Sequence, residues 1–437
     1  MIFFLSVITL TLATEVNLMM PLDTVNSNGV NNKGQLQNDL NKIKSGGVAG
    51  VMADVWWGLV ETSPRNYNWN GYKELVQMVK NAGLKFQAVM SFHKCGGNVG
   101  DSVTIEIPQW VRNAGAANDA FFKDNENNVN NEYISFAYDD SSIFEGRTPI
   151  EIYKDFMTSF KQNFQSYIDD GTINEIQVGM GPCGETRYPS YPLSRWSYCG
   201  VGEFQCNDGK SKELLKNAAT AKGHSEWGNG SPSNAGNYNS KPPSSTGFFG
   251  NGFDNYQSEY GRFFQEWYFD LLLSHTDKVL SAARNVFGNT LALAGKISGV
   301  HWWYNDQSHA AEMTAGYYNS NGNDAYKTLS NTFKNNNVRF DFTCLEMSGT
   351  DGNCGSSPAN LVDQAFNAAG TVGIGKCGEN ALELCGYGGC NTNGFNQIIN
   401  KCKQHGLTAF TYLRMTRGLL DDGNAWGQFT NFVSRMR

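Results

Sequence analysis

Two glutamates stand out by the company they keep. Glu185 sits in G-P-C-G-E-T-R-Y-P-S-Y-P (181–192), between glycines and a run of aromatics and prolines, just after the apolar run I-N-E-I-Q-V-G-M. Glu379 ends a second apolar run, T-V-G-I-G-K-C-G-E, far along the chain. Two carboxylates flanking a sugar ring are the minimum for splitting a glycosidic bond, one giving a proton and the other activating water or attacking. A loop glutamate two residues from Arg187 could equally be a solvated ion pair, so its neighbours decide. Trp56, Trp57, Trp302, Trp303 and Tyr191 lie on adjoining loops, and flat sugar faces stack on such rings. Other chemistries lack their parts. There is no G-x-S-x-G, no Ser-His-Asp order and no G-x-G-x-x-G, and the loop G-G-N-V-G-D (96–101) lacks the Lys-Ser/Thr ending of a phosphate cradle.

The elements that must position these groups recur eight times. Apolar segments begin at Val16 and end at Asp54, His93, Met180, Lys296, Glu346, Glu379 and Arg414, each followed by a polar residue and a Gly-, Pro- or Trp-rich loop. Amphipathic stretches lie between several of them. Residues 35–45 carry Leu36, Leu40 and Ile43 at helical spacing before Gly46, residues 72–82 repeat the design before Gly83, and 257–286 is the longest such region. Eightfold alternation predicts an α/β fold, a (β/α)8 barrel with long loops at the C-terminal face of its strands. Catalytic groups of such barrels sit at strand C-termini, which here carry Asp54, His93, Glu185, Lys296, Thr343, Glu379 and Arg414. Burying so many polar groups together requires a polar ligand or dense mutual pairing. The regions 101–150 and 186–255 are too long for simple connections and are expected to wall a cleft. The Gly-, Ser- and Asn-rich part of the second, 228–251, is expected to run over the surface.

Bulk properties narrow the partners. A net charge of −7, with no run of five like charges, argues against nucleic acid and favours a neutral substrate. Met1 to Thr14 reads M-I-F-F-L-S-V-I-T-L-T-L-A-T, an apolar stretch ending in small residues that suits a signal peptide over 1–13. The expectation is therefore a secreted or lumenal protein, with 14–437 as one catalytic domain and no membrane association after cleavage. Ten cysteines then favour disulfides, with Cys199/Cys206 and Cys385/Cys390 each bracketing a short loop; neither has zinc-type spacing.

The longer motifs carry a resemblance. D-V-W-W-G (54–58), H-K-C-G-G-N-V-G-D (93–101), G-M-G-P-C-G-E-T-R-Y-P-S-Y-P (179–192), G-K-I-S-G-V-H-W-W-Y (295–304), S-H-A-A-E-M-T-A-G-Y-Y-N (308–319), F-T-C-L-E-M (342–347), G-E-N-A-L (378–382) and T-Y-L-R-M (411–415) resemble the β-amylases, in that family's order from about residue 16 onward. The resemblance implies an exo-acting hydrolase of α-1,4-glucans such as starch or glycogen, releasing β-maltose from non-reducing ends with inversion. It implies Glu185 as general acid and Glu379 as general base. Sugar contacts fall at Asp54, His93, Asp101, Lys296, His301, Thr343, Asn380, Ala381 and Arg414, and loop 96–101 corresponds to a lid. Inversion requires Glu185 protonated, with a raised pKa, Glu379 ionised, and the two roughly 6.5–9.5 Å apart to admit water.

Thr186 stands where the family mostly has Leu, and Gly378 where a larger residue is commoner. Both put fine specificity in question more than activity. Some bacterial relatives bind calcium near the loop after D-V-W-W-G, but E-T-S-P-R-N (61–66) has a single carboxylate. No metal, no cofactor, no appended starch-binding domain and a monomer are expected. The rival reading is a catalytically silent glucan- or maltose-binding sensor of the same fold, against which stand Glu185, Glu379, Thr343 and the lid sequence.

Overall fold

A computed structural model describes residues 13–437. Each of the eight apolar runs is a strand: β1 (Glu15–Met19), β2 (Gly50–Trp56), β3 (Lys85–Ser91), β4 (Ile173–Val178), β5 (Ala292–Ile297), β6 (Arg339–Phe342), β7 (Lys376–Glu379) and β8 (Ala409–Tyr412). All pair in parallel, and β8 closes on β1 to complete the barrel. A helix follows every strand: α1 (Lys33–Ser45), α2 (Asn70–Asn81), α3 (Pro149–Asp169), α4 (Glu259–Phe287), α5 (Ala325–Asn335), α6 (Pro358–Val372), α7 (Thr392–His405) and α8 (Gly423–Met436). The helices expected at 35–45, 72–82 and 257–286 are α1, α2 and α4. Local chemistry sets several starts: Thr148 and Glu151 form a capping box on α3, while Ser258 and Asp422 cap α4 and α8.

Alternation along the strands sorts the residues into two populations. The face turned to the helices is apolar: Val16 and Leu18, Val51, Ala53 and Val55, Ile176 and Val178, Phe340 and Phe342 are buried in the main core. Phe340 packs against Phe333 of α5 and Phe366 of α6. The barrel interior carries the other set. Met19, Met52 and Val89 make a small apolar cluster, and the remaining inward positions include Asn17, Gln87, Glu175, Gln177, Lys296, Asp341 and Thr411, all buried. Some of these polar groups pair with one another. Gln87 donates to Glu175 at 3.0 Å, and Arg339 holds the other oxygen of Glu175 at 2.8 Å. The interior is therefore a polar column that opens upward at the strand C-termini.

The two long excursions wall that opening. The first contains a helix (Gln109–Ala117) and an antiparallel pair, Phe121–Lys123 with Val129–Ile134; the second holds a helix at Gly209–Ala221. The stretch 228–251 does not simply run over the surface. Tyr238, Phe248 and Phe249 are buried, and Phe204 packs on both phenylalanines. Three aromatic anchors override the polar composition around them. Tyr188 stacks on Tyr268 of α4 at 3.8 Å and bonds its carbonyl, fixing the chain just beyond Glu185.

Disulfides join Cys385 to Cys390 and Cys199 to Cys354, the latter tying the loop after β4 to the loop after β6. Cys206 is free, so its proximity in sequence to Cys199 does not reflect a bond. Residues 1–12, which hold nearly all of the expected leader, lie outside the described residues.

Truncating a fully buried ring at the strand–helix interface removes its burial and leaves a cavity. Phe340→Ala is expected to lower unfolding free energy by about 3–5 kcal/mol in urea titration, and Phe340→Leu by less than about 1.5 kcal/mol.

Candidate active site

The carboxylate of Glu379 is placed by its position as the last residue of β7. It is 1% exposed, and its Oε1 lies 2.7 Å from Nζ of Lys296, itself buried on β5. Oε2 is equally buried and has no partner within the protein. Burial pushes the Glu379 pKa up; Lys296, by charge and hydrogen bond, and Arg414 pull it down, and Glu185 pushes it up again, with the net result above the ordinary value of 4.5. For Lys296, burial favours the neutral amine, but Glu379, Asp341 and Glu185 outweigh it and raise the pKa, so the side chain is a cation.

Glu185 comes to the same place by a different route. After β4 the chain turns through Gly181 to Gly184, and Thr186 N–H bonds the Lys296 carbonyl at 2.8 Å, setting Glu185 beside Lys296 as a one-residue extension of the sheet. Gly184 has φ +72°, and a Cβ at Gly181 would lie 2.5 Å from the carbonyl oxygen of Glu185, so both glycines are needed for this turn. Arg187 Nε donates to Glu185 Oε2 at 2.7 Å, and the buried guanidinium lies 4.2 Å from the Tyr191 ring centroid. The pairing that could have marked Glu185 as an idle loop residue is thus real, but it orients the carboxyl inside the cleft.

That cleft, of about 690 Å³, brings the expected residues together: Asp54, His93, Asp101, Glu185, Lys296, His301, Thr343, Glu379, Asn380, Ala381 and Arg414 all line it. Ser91 Oγ donates to Asp54 at 2.8 Å, and burial raises the Asp54 pKa. His93 lies edge-on to Trp56 with Nδ1 unpartnered, and burial lowers its pKa to about 3, so it is neutral. Burial likewise lowers His301 to about 4; its Nδ1 faces Ser356 Oγ at 2.8 Å. Asp101 spends Oδ2 on the backbone N–H groups of Gly96 and Asn98, bracing loop 96–101. Asn380 bonds backbone, not open space: its Oδ1 accepts from Leu413 N–H, and its amide donates to the carbonyls of Leu382 and Leu413.

The aromatics divide. Trp56, Tyr191 and Trp302 line the cleft, as do Trp196 and Tyr198. Trp57 instead packs edge-on to Phe92, Trp110 and Tyr153, and Trp303 is buried with its indole N–H on the Cys199 carbonyl. The members of each pair diverge because the backbone changes course between them, Trp57 opening a short helix after β2 and Trp303 sitting in a turn at φ +57°, which sequence proximity alone cannot resolve.

Sequence reasoning passed over three buried acids. Glu346 accepts N–H bonds from Ala381 and Leu382 and so shapes the loop after Glu379. Asp341 pairs in register with Lys296 on β5/β6, accepts from Gln177, and has its pKa raised by burial and by Glu379. Glu132 braces the loop 96–101 through Asn98. For Asp341 a signal existed: a carboxylate between two phenylalanines in the strand R-F-D-F. Of the two departures, Gly378 has a steric reason, since a Cβ there would meet Leu345 at 2.6 Å. Thr186 is buried, its carbonyl accepting from Tyr317 at 2.7 Å. Glu61 uses its oxygens on Trp57 Nε1 and Arg65 N–H, 2.7 and 2.8 Å away.

Paired carboxylates facing one sugar-sized cleft at the top of a barrel define the class, a glycoside hydrolase. Comparison with known proteins narrows it. The profile of glycosyl hydrolase family 14 matches residues 17–437, and the chain belongs to that family. It is 44% identical to beta-amylase 2, chloroplastic, of Arabidopsis thaliana, over 98% of this chain and 80% of that protein. It is 42% identical to a beta-amylase of Zea mays, over 97% and 88%. The catalytic domain of a beta-amylase from Paenibacillus polymyxa superposes with TM-score 0.80 at 32% identity, covering 98% of this chain and 99% of that one. These relatives also correct the expected location. Two Arabidopsis and two rice beta-amylases among them are named chloroplastic, which contradicts the secreted or lumenal assignment.

The role of general base expected for Glu379 requires an ionised carboxylate, so under that reading activity is lost as pH falls through its folded pKa. The acid limb of kcat is expected above 4.5. Lys296→Met removes the strongest downward pull and should move that limb to higher pH, with kcat at its optimum reduced at least about 100-fold. A pH–rate profile of both proteins checks this.

Proposed function

We propose that the chain is a β-amylase that hydrolyses α-1,4-glucosidic bonds of starch- or glycogen-type glucans, releasing β-maltose from non-reducing ends with inversion. The observation that carries the assignment of roles is the divided use of Glu379. One oxygen is held by Lys296, while the other is buried in the cleft without a protein partner. That second oxygen is the base, taking a proton from the water that attacks the anomeric carbon. Lys296 keeps the carboxylate charged without occupying the oxygen that works. Glu185 is the acid. With Oε2 committed to Arg187, Oε1 carries the proton delivered to the departing glycosidic oxygen.

The surrounding groups fit a neutral sugar. His93 and His301 are held neutral by burial and offer hydrogen bonds in place of charge. Trp56, Trp196, Tyr198 and Trp302 supply faces for glucose rings. Asp54, Thr343, Ala381 and Arg414 complete the contacts, and Asn380 and Asp101 hold the loops that present them. Exo action and maltose as product rest on the family. The acid, the base and the sugar-facing groups all belong to one chain, and we assign the reaction to 14–437 as one catalytic domain.

Glu185→Gln and Glu379→Gln preserve shape and remove the acid and the base. Each is expected to lower maltose release from soluble starch at least about 100-fold with the fold retained by circular dichroism, and Glu379→Gln, which leaves the buried Lys296 charge uncompensated, should unfold at a lower temperature. Near-full activity in either variant would show that the role given to that residue is wrong.

A further inference from the structure

Glu132 lies outside the cleft lining, on the strand Val129–Ile134 of the first excursion, where three segments meet. Its Oε1 accepts from Asn98 Nδ2 at 2.7 Å and from Cys183 N–H at 3.1 Å, and its backbone carbonyl accepts from Lys94 N–H at 2.7 Å. Asn98 turns its other end to Arg187, whose Nη2 donates to Asn98 Oδ1 at 3.2 Å. The same guanidinium bonds Glu185 through Nε and the Tyr188 carbonyl through Nη1. An unbroken polar path therefore runs from Glu132 through Asn98 and Arg187 to the carboxyl of Glu185. It returns to Glu132 through the backbone at Cys183, two residues before the acid.

The direction of the Asn98 amide is the sensitive point. An amide has one accepting and one donating end, and a guanidinium only donates. Glu132 engages the NH2 end and so leaves the oxygen for Arg187. Without that acceptor the amide is free to turn its NH2 toward the guanidinium, and two buried donors would then oppose each other. Arg187 would shift, and the Glu185 carboxyl with it.

We propose that Glu132 is a positioning residue for the acid, fixing through Asn98 and Arg187 the orientation from which Glu185 delivers its proton. This rests on Glu185 being the acid. Charged or titratable groups facing Glu132 are Arg187, Asp101 and Cys183; burial raises its pKa to about 7, while Arg187 and the bonds from Asn98 and Cys183 act the other way. With two donors on Oε1, that oxygen remains an acceptor in either protonation state, so Gln can replace Glu there.

The test compares maltoheptaose, whose sugar leaving group needs a proton, with α-maltosyl fluoride, whose fluoride needs far less. Glu132→Leu and Asn98→Ala are expected to lose about 10- to 100-fold in kcat on maltoheptaose, with KM within about threefold and much smaller losses on the fluoride. Glu132→Gln should restore the ratio of the two activities. Glu185→Gln is the reference for a pure acid defect. If it is selective while folded Glu132→Leu or Asn98→Ala loses both activities equally, the positioning role is overturned. If Glu132→Gln fails as badly as Glu132→Leu, the acceptor argument is overturned. A non-selective Glu185→Gln removes the acid assignment, and the proposal with it. Should Glu132→Leu not fold, Asn98→Ala decides alone.

Discussion

Lys296 and Glu379 face each other across the top of the barrel at 2.7 Å, both nearly sealed from solvent. Neither charge could be buried alone: removing one partner of such a pair typically costs about 3–5 kcal/mol, because the other is left uncompensated. As a contribution to stability the pair is close to neutral. Its value lies in setting a protonation state. A carboxylate in a site this dry would drift toward the neutral acid, and the lysine opposes that drift while taking only one of the two oxygens. The sheet makes this possible, since β5 and β7 are held two strands apart by β6 and their ends meet over the polar column.

The rest of the barrel follows from that requirement. An interior built only of branched apolar residues would leave no path for compensating so much charge near the mouth. Here the inward positions continue downward as Asp341 with Gln177, and Glu175 with Gln87 and Arg339. The apolar half of each strand faces outward, where the helices seal it. Loops then divide the work: the stretch after β4 brings Glu185 with its arginine, the segment after β7 is shaped by Glu346, and the Cys199–Cys354 bond joins two walls of the cleft.

Much of this was legible in the chain. Eight apolar runs with polar ends predicted the strands, and the polar ends predicted which residues meet, because a closed parallel barrel sends every strand C-terminus to one rim. Glu185 and Glu379 were readable for the same reason. What the polar ends do once assembled was less so. Asp101 and Asn380, expected on sugar, line the cleft and also bond backbone groups, Asp101 those of its own loop and Asn380 those of Leu382 and Leu413. Asp341, Glu346 and Glu132 act through partners remote in sequence, and no local pattern announces such a contact. The stretch 228–251 misled by composition, since three aromatic anchors outweigh many glycines and serines. An apolar N-terminus likewise suggested a secreted or lumenal location, which relatives named chloroplastic contradict.

The central claim is that water attacks from the Glu379 side while Glu185 protonates the opposite, departing oxygen. It is tested most directly by the anomeric configuration of maltose at the instant of release, followed by proton NMR during the first minutes of maltoheptaose hydrolysis. The account predicts that the β-anomer signal rises first and the α-anomer only later, at the rate of mutarotation. An initial build-up of α-maltose would contradict it.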